Sequence, residues 1–298
     1  MLRFPGRKEV RAVKSFSPPK NRFLRAVYLL ARRFLRHNVG AQSAALAFYL
    51  LFMMFPFLIF ISALLGLLHL DVAGILAALA EFLPVEVVDF LKVYLTYVGE
   101  TPSPQLMVFG LVFSIYFPMR ATNSLMRAVR MAYHLGPSHG VVQVLKTLLY
   151  TVLLIAAIAL TLVLMSVSDR ILAYCVTNFG LPSFIAELWA RLRFPVAAVV
   201  GYFALFFLYA LAQDNRQPWQ NIWPGTLAAL AGWLCLSWLY AWYVEHIAHY
   251  SVLYGSIGTV IVLLIWLNMS AMTLIMGAEL NGTLMSLRKD RLEKARTS

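Results

Sequence analysis

The chain contains few charged residues, and carboxylates are especially scarce. Only 13% of its 298 residues are Asp, Glu, Lys or Arg, and only 13 residues are acidic, whereas a soluble domain is about 25% charged. Hydrophobic residues make up 61% of the chain, and the mean hydropathy is +0.75. A soluble core accounts for one or two long apolar segments but not for this composition. The shortage of charge therefore excludes an ordinary soluble protein.

Cysteine is also scarce, and the common sequence motifs of enzymes are missing. Cys235 lies in a long apolar segment and Cys175 in a polar connection, so the two cannot pair and no disulfide framework is expected. The sequence has no phosphate-binding loop, no nucleophile elbow and no run of histidine and carboxylate ligands. We therefore expect no metal site, no cofactor and no enzymatic activity.

Long stretches without any Lys, Arg, Asp or Glu dominate the chain. A helix needs roughly 20 residues to cross the ~30 Å hydrocarbon layer of a bilayer, and a charge at its centre costs several kcal/mol. Nearly all the charge lies between these stretches. The pattern predicts an all-α integral membrane protein, a bundle of six transmembrane helices with amphipathic interfacial helices. The charge-free stretches are residues 37–70, 101–119, 147–168, 194–213, 217–244 and 246–278.

The basic residues predict the orientation of this bundle. Eleven Lys and Arg precede the first stretch and five follow the last. With both termini on one side, that side holds 21 basic residues and the other side holds 4. Because Lys and Arg accumulate in cytoplasmic segments, we expect cytoplasmic N- and C-termini in a bacterial inner membrane.

The first 36 residues form a basic arm. Apolar residues recur at helical spacing opposite arginines over residues 23–36, which predicts an amphipathic helix on the membrane surface. The arm lacks the aromatic platforms that hold single-stranded nucleic acid. We therefore expect it to contact membrane lipids, through anionic headgroups of the inner leaflet, rather than nucleic acid.

The membrane domain is predicted over residues 37–285, with a basic cytoplasmic tail at 286–298. Span two is the shortest, and because it stops at Pro118 we expect a broken or partly re-entrant helix there. Residues 72–99 are expected to form two short amphipathic helices on the outer side. The predicted spans are residues 41–68, 105–118, 147–167, 194–212, 223–244 and 255–278.

Polar residues at membrane depth are the candidates for function. Arg120 and Asn123 follow Pro118 and could bind an anionic group; the alternative is that Arg120 reaches the inner-leaflet phosphates. Glu279, at the predicted end of span six, opposes the helix dipole and needs a partner, such as an arginine on the inner side or a backbone amide. Its role is either structural, in an ion pair or at the lipid interface, or functional, in coupling or in contact with substrate. Asn281 follows two residues later.

Two further features concern helix packing. Asn268 lies in the middle of predicted span six, where an amide either bonds neighbouring helices or contacts a substrate. Small residues four apart in span five, Gly225 with Ala229 and Ala228 with Gly232, permit close helix contact. That contact lies either within the monomer or between subunits, so a homo-oligomer is possible.

Several blocks of residues resemble the YihY/BrkB family of bacterial inner-membrane proteins. The resemblance extends from about residue 25 to 285, and the last block is its most specific part. The blocks are Ala44-Ala45-Leu46-Ala47-Phe48-Tyr49 with Phe55-Pro56, Pro218-Trp219 with Pro224-Gly225, Tyr254-Gly255-Ser256, Leu264-Ile265-Trp266, and Gly277-Ala278-Glu279-Leu280-Asn281.

The resemblance implies an inner-membrane protein associated with serum resistance or with movement of lipids or lipopolysaccharide precursors. The family was once labelled ribonuclease BN, a name that no motif here supports. Our leading hypothesis is a transporter or flippase-like protein for a lipid, an envelope precursor or a small anionic solute. In this hypothesis Arg120 meets the substrate, while Glu279 and Asn281 hold the neighbouring helix. The alternative is a scaffold that recruits envelope partners through residues 72–99.

Overall fold

A computed structural model describes most of the chain as α-helix. The six helices α2 to α7 are each long and apolar enough to cross a membrane, so the expected all-α membrane bundle is confirmed. The helices are α1 (Arg22–Arg36), α2 (Val39–Leu67), α3 (Pro104–Ala132), α4 (Val141–Ser166), α5 (Ser183–Ala212), α6 (Trp223–His246) and α7 (Ser256–Thr297). The described residues are 21–67, 92, 104–136, 140–166, 182–214, 217–246 and 256–297.

Two expectations fall outside the described residues, in whole or in part. The two amphipathic helices expected over residues 72–99 lie outside them, apart from residue 92, and so do residues 1–20 of the basic arm. The remainder of the arm forms α1, a helix over Arg22–Arg36.

The expected break in span two is wrong. The helix α3 runs without interruption from Pro104 to Ala132 and includes Pro118 in its interior. A proline in a helix removes one backbone donor, but an interrupted backbone in lipid would leave several polar groups without partners. A continuous helix therefore costs less free energy than a broken one. As a result, Arg120 and Asn123 lie on a regular helical face of α3.

Span six also extends further than predicted. The helix α7 has 42 residues, which at 1.5 Å per residue is about 63 Å, twice the thickness of the hydrocarbon layer. Glu279 therefore lies in the interior of a helix, and the expected conflict with a helix C-terminus does not arise. Hydropathy marks the apolar part of a helix, whereas backbone hydrogen bonding continues into its charged part.

Three connections at one end of the bundle share an unusual backbone conformation. Asn38, His134 and Asp214 have φ angles of +50°, +56° and +60°, and each follows the end of a helix. Asn, Asp and His are the non-glycine residues that most readily adopt this left-handed conformation. We call this end, which carries α1, the connections after α3 and α5 and the C-terminal part of α7, the terminal side.

Among the described helices, α2 and α3 have the most extensive contact with each other. A side chain at Gly110 of α3 would lie 2.6 Å from the backbone nitrogen of Phe60 in α2, so only glycine allows this approach. Towards the terminal side, α7 packs against α2, α3 and α6, and α1 lies against α7. This arrangement brings the polar ends of α1, α2, α3 and α7 together.

Candidate functional site

A buried carboxylate connects the first and last helices. The side chain of Glu279 is 1% exposed, with Oε2 lying 3.2 Å from Nη1 of Arg33 and Oε1 lying 2.6 Å from Nδ1 of His37. An ionised carboxylate only accepts hydrogen bonds, so His37 donates from Nδ1. The partner of Glu279 is thus an arginine 246 positions away, together with a histidine that the sequence did not indicate.

Arg33 bonds several elements at once. Its Nη1 donates to the carbonyl of Ala132 at 2.9 Å, at the end of α3, as well as to Glu279. Its Nη2 donates to the carbonyl of Gly282 at 3.1 Å and to Nε2 of His134 at 3.0 Å. A guanidinium has donors only, so Nε2 of His134 accepts. One buried arginine therefore fixes α1, α3 and α7 relative to one another.

The environment of His134 favours its neutral form. Partial burial lowers the pKa of His134, and the positive charge of Arg33 lowers it further. A neutral ring is what the hydrogen bond from Arg33 requires. Arg33 lies on the face of α1 that contacts α3 and α7. The exposed apolar residues of α1 include Leu24, Val27 and Leu35.

A second ion-pair cluster lies at the end of α5. Asp214 accepts from Nζ of Lys146 at 2.6 Å and from Nη1 of Arg130 at 2.9 Å. These two cations, the lysine first, hold the pKa of Asp214 below its usual range. Arg130 also donates to the carbonyls of Ala212 at 2.9 Å and Gly136 at 3.0 Å. The cluster thus connects α3, α4 and α5.

Sequence reasoning missed Arg33, His37, Arg130 and Asp214. A signal was available for Asp214, because it is a rare carboxylate on the side where basic residues accumulate, and such a group needs a partner. No comparable signal marked Arg33 among the eleven basic residues that precede the first span.

Asn281 bonds the start of a neighbouring helix. Its Oδ1 accepts from the backbone nitrogen of Gly225 at 2.6 Å, and its Nδ2 donates to the carbonyl of Ile222 at 2.7 Å. The first backbone N–H groups of a helix have no partner within it, so Asn281 of α7 serves as the cap of α6. It thus occupies a helix junction.

Two glycines allow α6 and α7 to touch at this junction. A side chain at Gly277 would lie 2.6 Å from the carbonyl oxygen of Gly225 and 2.5 Å from Cβ of Ala229. The small residues predicted for close contact therefore meet a helix of the same chain. Asn268 is placed elsewhere on α7; its Oδ1 is buried and has no hydrogen-bond partner in the part of the chain that the structure describes. Nearby, Trp233 donates to Ser270 and Trp266 to Ser237.

An open pocket of about 560 Å³ lies on the terminal side between α2 and α3. The end of α1 and one face each of α2 and α3 form its wall, which contains three arginines. None of the described residues that line the pocket is acidic. The lining residues are Arg36, His37, Asn38, Ala41, Gln42, Ala45, Tyr49, Arg120, Asn123, Ser124, Arg127 and Met131.

The pocket brings together two of the five residues that the sequence indicated. Arg120 and Asn123 both line it, three positions apart on α3. Nη2 of Arg120 donates to the hydroxyl of Tyr49 at 3.3 Å, and its guanidinium carbon lies 5.5 Å from the ring centroid of Tyr49. Glu279 lies behind the wall and reaches the pocket only through His37. The structure describes no group of three or more metal-ligating side chains.

Comparisons with curated proteins give relatives of limited identity. The putative ribonuclease-like protein YfkH of Bacillus subtilis (strain 168) is 27% identical over 261 residues, which cover 87% of this chain and 95% of that protein. A UPF0761 membrane protein of Alkalilimnicola ehrlichii is 30% identical over 191 residues, 63% of this chain and 41% of that protein. A UPF0761 membrane protein of Pseudoalteromonas translucida is 30% identical over 101 residues, 34% of this chain and 32% of that protein.

The chain thus spans less than half the length of the two UPF0761 relatives, and no solved structure matches it significantly. A family model described as "Virulence factor BrkB" matches residues 30–298, which include every helix of the bundle and both ion-pair clusters. This match confirms the resemblance seen in the sequence blocks. The chain belongs to the BrkB family of membrane proteins.

Proposed function

We propose that the protein is a transporter or flippase-like protein that moves an anionic lipid, an envelope precursor or a small anionic solute across the bacterial inner membrane. The observation that supports this proposal is the pocket between α2 and α3. It presents the guanidinium groups of Arg36, Arg120 and Arg127 without a carboxylate among its described lining residues. An arginine side chain binds phosphate or carboxylate through two parallel hydrogen bonds.

The neutral part of the lining supports the same chemistry. Gln42, Asn123 and Ser124 supply amide and hydroxyl donors beside the arginines, while Ala41 and Ala45 leave room. A volume of about 560 Å³ lies in the range of ligand sites, about 300–1,000 Å³. The pocket therefore suits an anionic molecule that is larger than a monoatomic ion.

The two ion-pair clusters supply the rigid part of this machinery. The contacts of Arg33 and Glu279 hold α1 and α7 behind the pocket, and those of Asp214 hold α4 and α5 against α3. The substrate would then bind Arg120 on α3, a helix that the two clusters hold in place at its end on the terminal side. In this proposal Glu279 and Asn281 position helices and do not contact substrate.

We also propose that the terminal side faces the cytoplasm. It carries α1, the three pocket arginines and the basic end of α7, and cytoplasmic segments of membrane proteins are enriched in Lys and Arg. Labelling of single cysteines introduced near residues 21 and 297 in intact cells and in inverted vesicles would test this orientation.

The direct test is transport by the purified protein in liposomes. Fluorescent anionic lipids and radiolabelled anionic solutes are offered separately, and movement is compared with that in empty liposomes. We expect movement by the natural protein and strongly reduced movement by the double variant Arg120→Gln/Arg127→Gln. The matched control is Arg32→Gln, which removes an exposed arginine of α1 outside the pocket. No movement of any of these compounds by correctly folded protein would disprove the proposal.

A ribonuclease is the competing function, because the name of the Bacillus subtilis relative contains that word. We propose that the present chain is not an enzyme. The test is RNA cleavage by protein carried through two successive columns, beside a mock preparation from the same host. Cleavage that follows the protein and exceeds the mock preparation would overturn this view.

A further inference from the structure

An aromatic surface continues the pocket along α2 and α3, away from the terminal side. We call it the aromatic seam; its residues are Phe48, Phe52, Phe113, Tyr116 and Phe117. Phe48 and Phe52 have ring centroids 4.3 Å apart, and Phe52 lies 6.0 Å from Phe117 on the facing helix. Phe48, Phe52 and Tyr116 are 47%, 40% and 47% exposed. The seam therefore offers an apolar surface that begins where the charged pocket ends.

Arg120 joins the pocket to the seam. Its guanidinium carbon lies 5.5 Å from the ring of Tyr49, which lines the pocket, and 5.9 Å from the ring of Tyr116, which belongs to the seam. An arginine over aromatic rings is held in place by cation–π attraction. A ligand that bonds Arg120 with its charged end thus has its apolar end directed to Phe52 and Tyr116.

The charge of the pocket selects the headgroup. Three guanidiniums face a common space, and the described lining supplies no negative charge to balance them. A phosphodiester carries one negative charge, whereas a phosphate monoester carries about −1.5 to −2 at pH 7 and three acceptor oxygens. The monoester balances more of the charge, and its oxygens can accept from two arginines at once.

The spacing of the arginines fits a ligand that enters from the membrane. Arg120 and Arg127 lie two turns apart on α3, which is about 10 Å along the helix. Arg127 is nearer to the terminal side and Arg120 nearer to the seam. A headgroup that moves from Arg127 to Arg120 would therefore move along the helix while its chains stay on apolar surface.

We propose that this site binds a lipid whose headgroup ends in a phosphate monoester, with the phosphate between Arg120 and Arg127 and the acyl chains along the aromatic seam. This inference rests on the proposed function and names its substrate class. The seam favours a lipid over a free phosphate, because acyl chains can lie along Phe48, Phe52 and Tyr116, whereas a soluble phosphate ester has no apolar part to contact them.

The test is binding to the purified full-length protein in phosphatidylcholine nanodiscs. One arm adds phosphatidic acid, a monoester lipid, and a second adds phosphatidylglycerol, a diester lipid with the same chains. A third arm adds glycerol 3-phosphate, which has the monoester without chains. We expect phosphatidic acid to bind tightest, phosphatidylglycerol about tenfold more weakly, and glycerol 3-phosphate to compete poorly.

Matched variants locate the site. We expect Arg120→Gln and Arg127→Gln each to weaken phosphatidic acid binding by about tenfold, with no change for Arg32→Gln. Phe52→Ala should weaken binding of the lipid, whereas Phe203→Ala, which truncates a 50% exposed aromatic residue of α5 outside the seam, should not. A thermal unfolding curve of each variant separates loss of binding from loss of fold.

The outcomes separate this inference from the proposed function. Equal binding of the two lipids, full competition by glycerol 3-phosphate, or binding that is unchanged in both arginine variants would each overturn the inference. If another anionic compound moves across liposomes and requires Arg120, the proposed function stands without this substrate class. If phosphatidic acid binds selectively at the site but nothing is transported, the site stands and the transport function fails.

Discussion

Nδ1 of His37 lies 2.6 Å from Oε1 of Glu279, so a residue of the pocket wall is bonded to a buried carboxylate of the last helix. The same carboxylate pairs with Arg33. Any change at Glu279 therefore reaches the pocket through one histidine. The contacts of these three residues lead to our first prediction.

Replacing Glu279 by Gln should destabilise the protein strongly. The change leaves Arg33, a 9% exposed residue, without its counter-charge, and loss of one partner of a buried ion pair costs about 3–5 kcal/mol. We expect a lower unfolding temperature in detergent or nanodiscs. The control is Glu245→Gln, because the side chain of Glu245 is 78% exposed. Equal stability of the two variants would contradict the prediction.

Replacing Gly277 by Ala should separate α6 from α7. The added methyl group would overlap the carbonyl of Gly225 and the side chain of Ala229, and overpacking of this kind costs about 1–3 kcal/mol. The matched control is Gly201→Ala in α5, where the new carbon would lie 3.6 Å from Leu230, an ordinary contact. Thermal unfolding of both variants measures the difference, and a neutral Gly277→Ala would show that the two helices can move apart freely.

Replacing Asn281 by Ala should weaken the start of α6. The N–H of Gly225 would lose its buried partner, at about 1–3 kcal/mol for a group left unpaired, whereas the carbonyl of Ile222 would keep the hydrogen bonds that Thr226 donates to it. Faster hydrogen exchange confined to the first turn of α6 is the expected signature. Ser114→Ala, which removes a hydroxyl that donates within α3, is the comparison; unchanged exchange in α6 would refute the capping role.

The Asp214 cluster should make the stability of the folded protein depend on pH in the acidic range. Because Lys146 and Arg130 lower the pKa of Asp214 in the folded protein, its contribution is fully present above the ordinary value of 3.8 and is lost as the pH falls through the folded pKa. We expect Asp214→Asn to unfold at a lower temperature than the natural protein at pH 7.

The difference between Asp214→Asn and the natural protein should shrink as the pH falls below 3.8. Asn is a suitable replacement because it tolerates the φ of +60° at this position. Unfolding temperatures at pH 7, 5 and 3 measure the effect. A difference that stays constant over this range would show that the charge of Asp214 plays no part.

The sequence predicted much of the fold because membrane insertion depends on local composition. A run of about 20 apolar residues is sufficient to mark a span, and the helices α2, α4 and α6 lie close to their predicted ranges. It also indicated close helix contact at Gly225, since the small residues themselves create the space. Arg120 and Asn123 were chosen as polar groups at membrane depth, and both line the pocket.

The tertiary structure decided what depends on residues far apart in the chain. No local pattern pairs Glu279 with Arg33, because that contact exists only when α1 lies against α7. Hydropathy likewise stopped span two at Pro118, whereas packing and the cost of unpaired backbone groups in lipid carry α3 to Ala132. Composition thus determined that the chain crosses a membrane. Only the packing of whole helices determined where α2 and α3 cross, at Gly110 and Phe60, and where the pocket between them lies. The reason is that the shape of the side chains, and not their hydropathy, sets the distance between two helices.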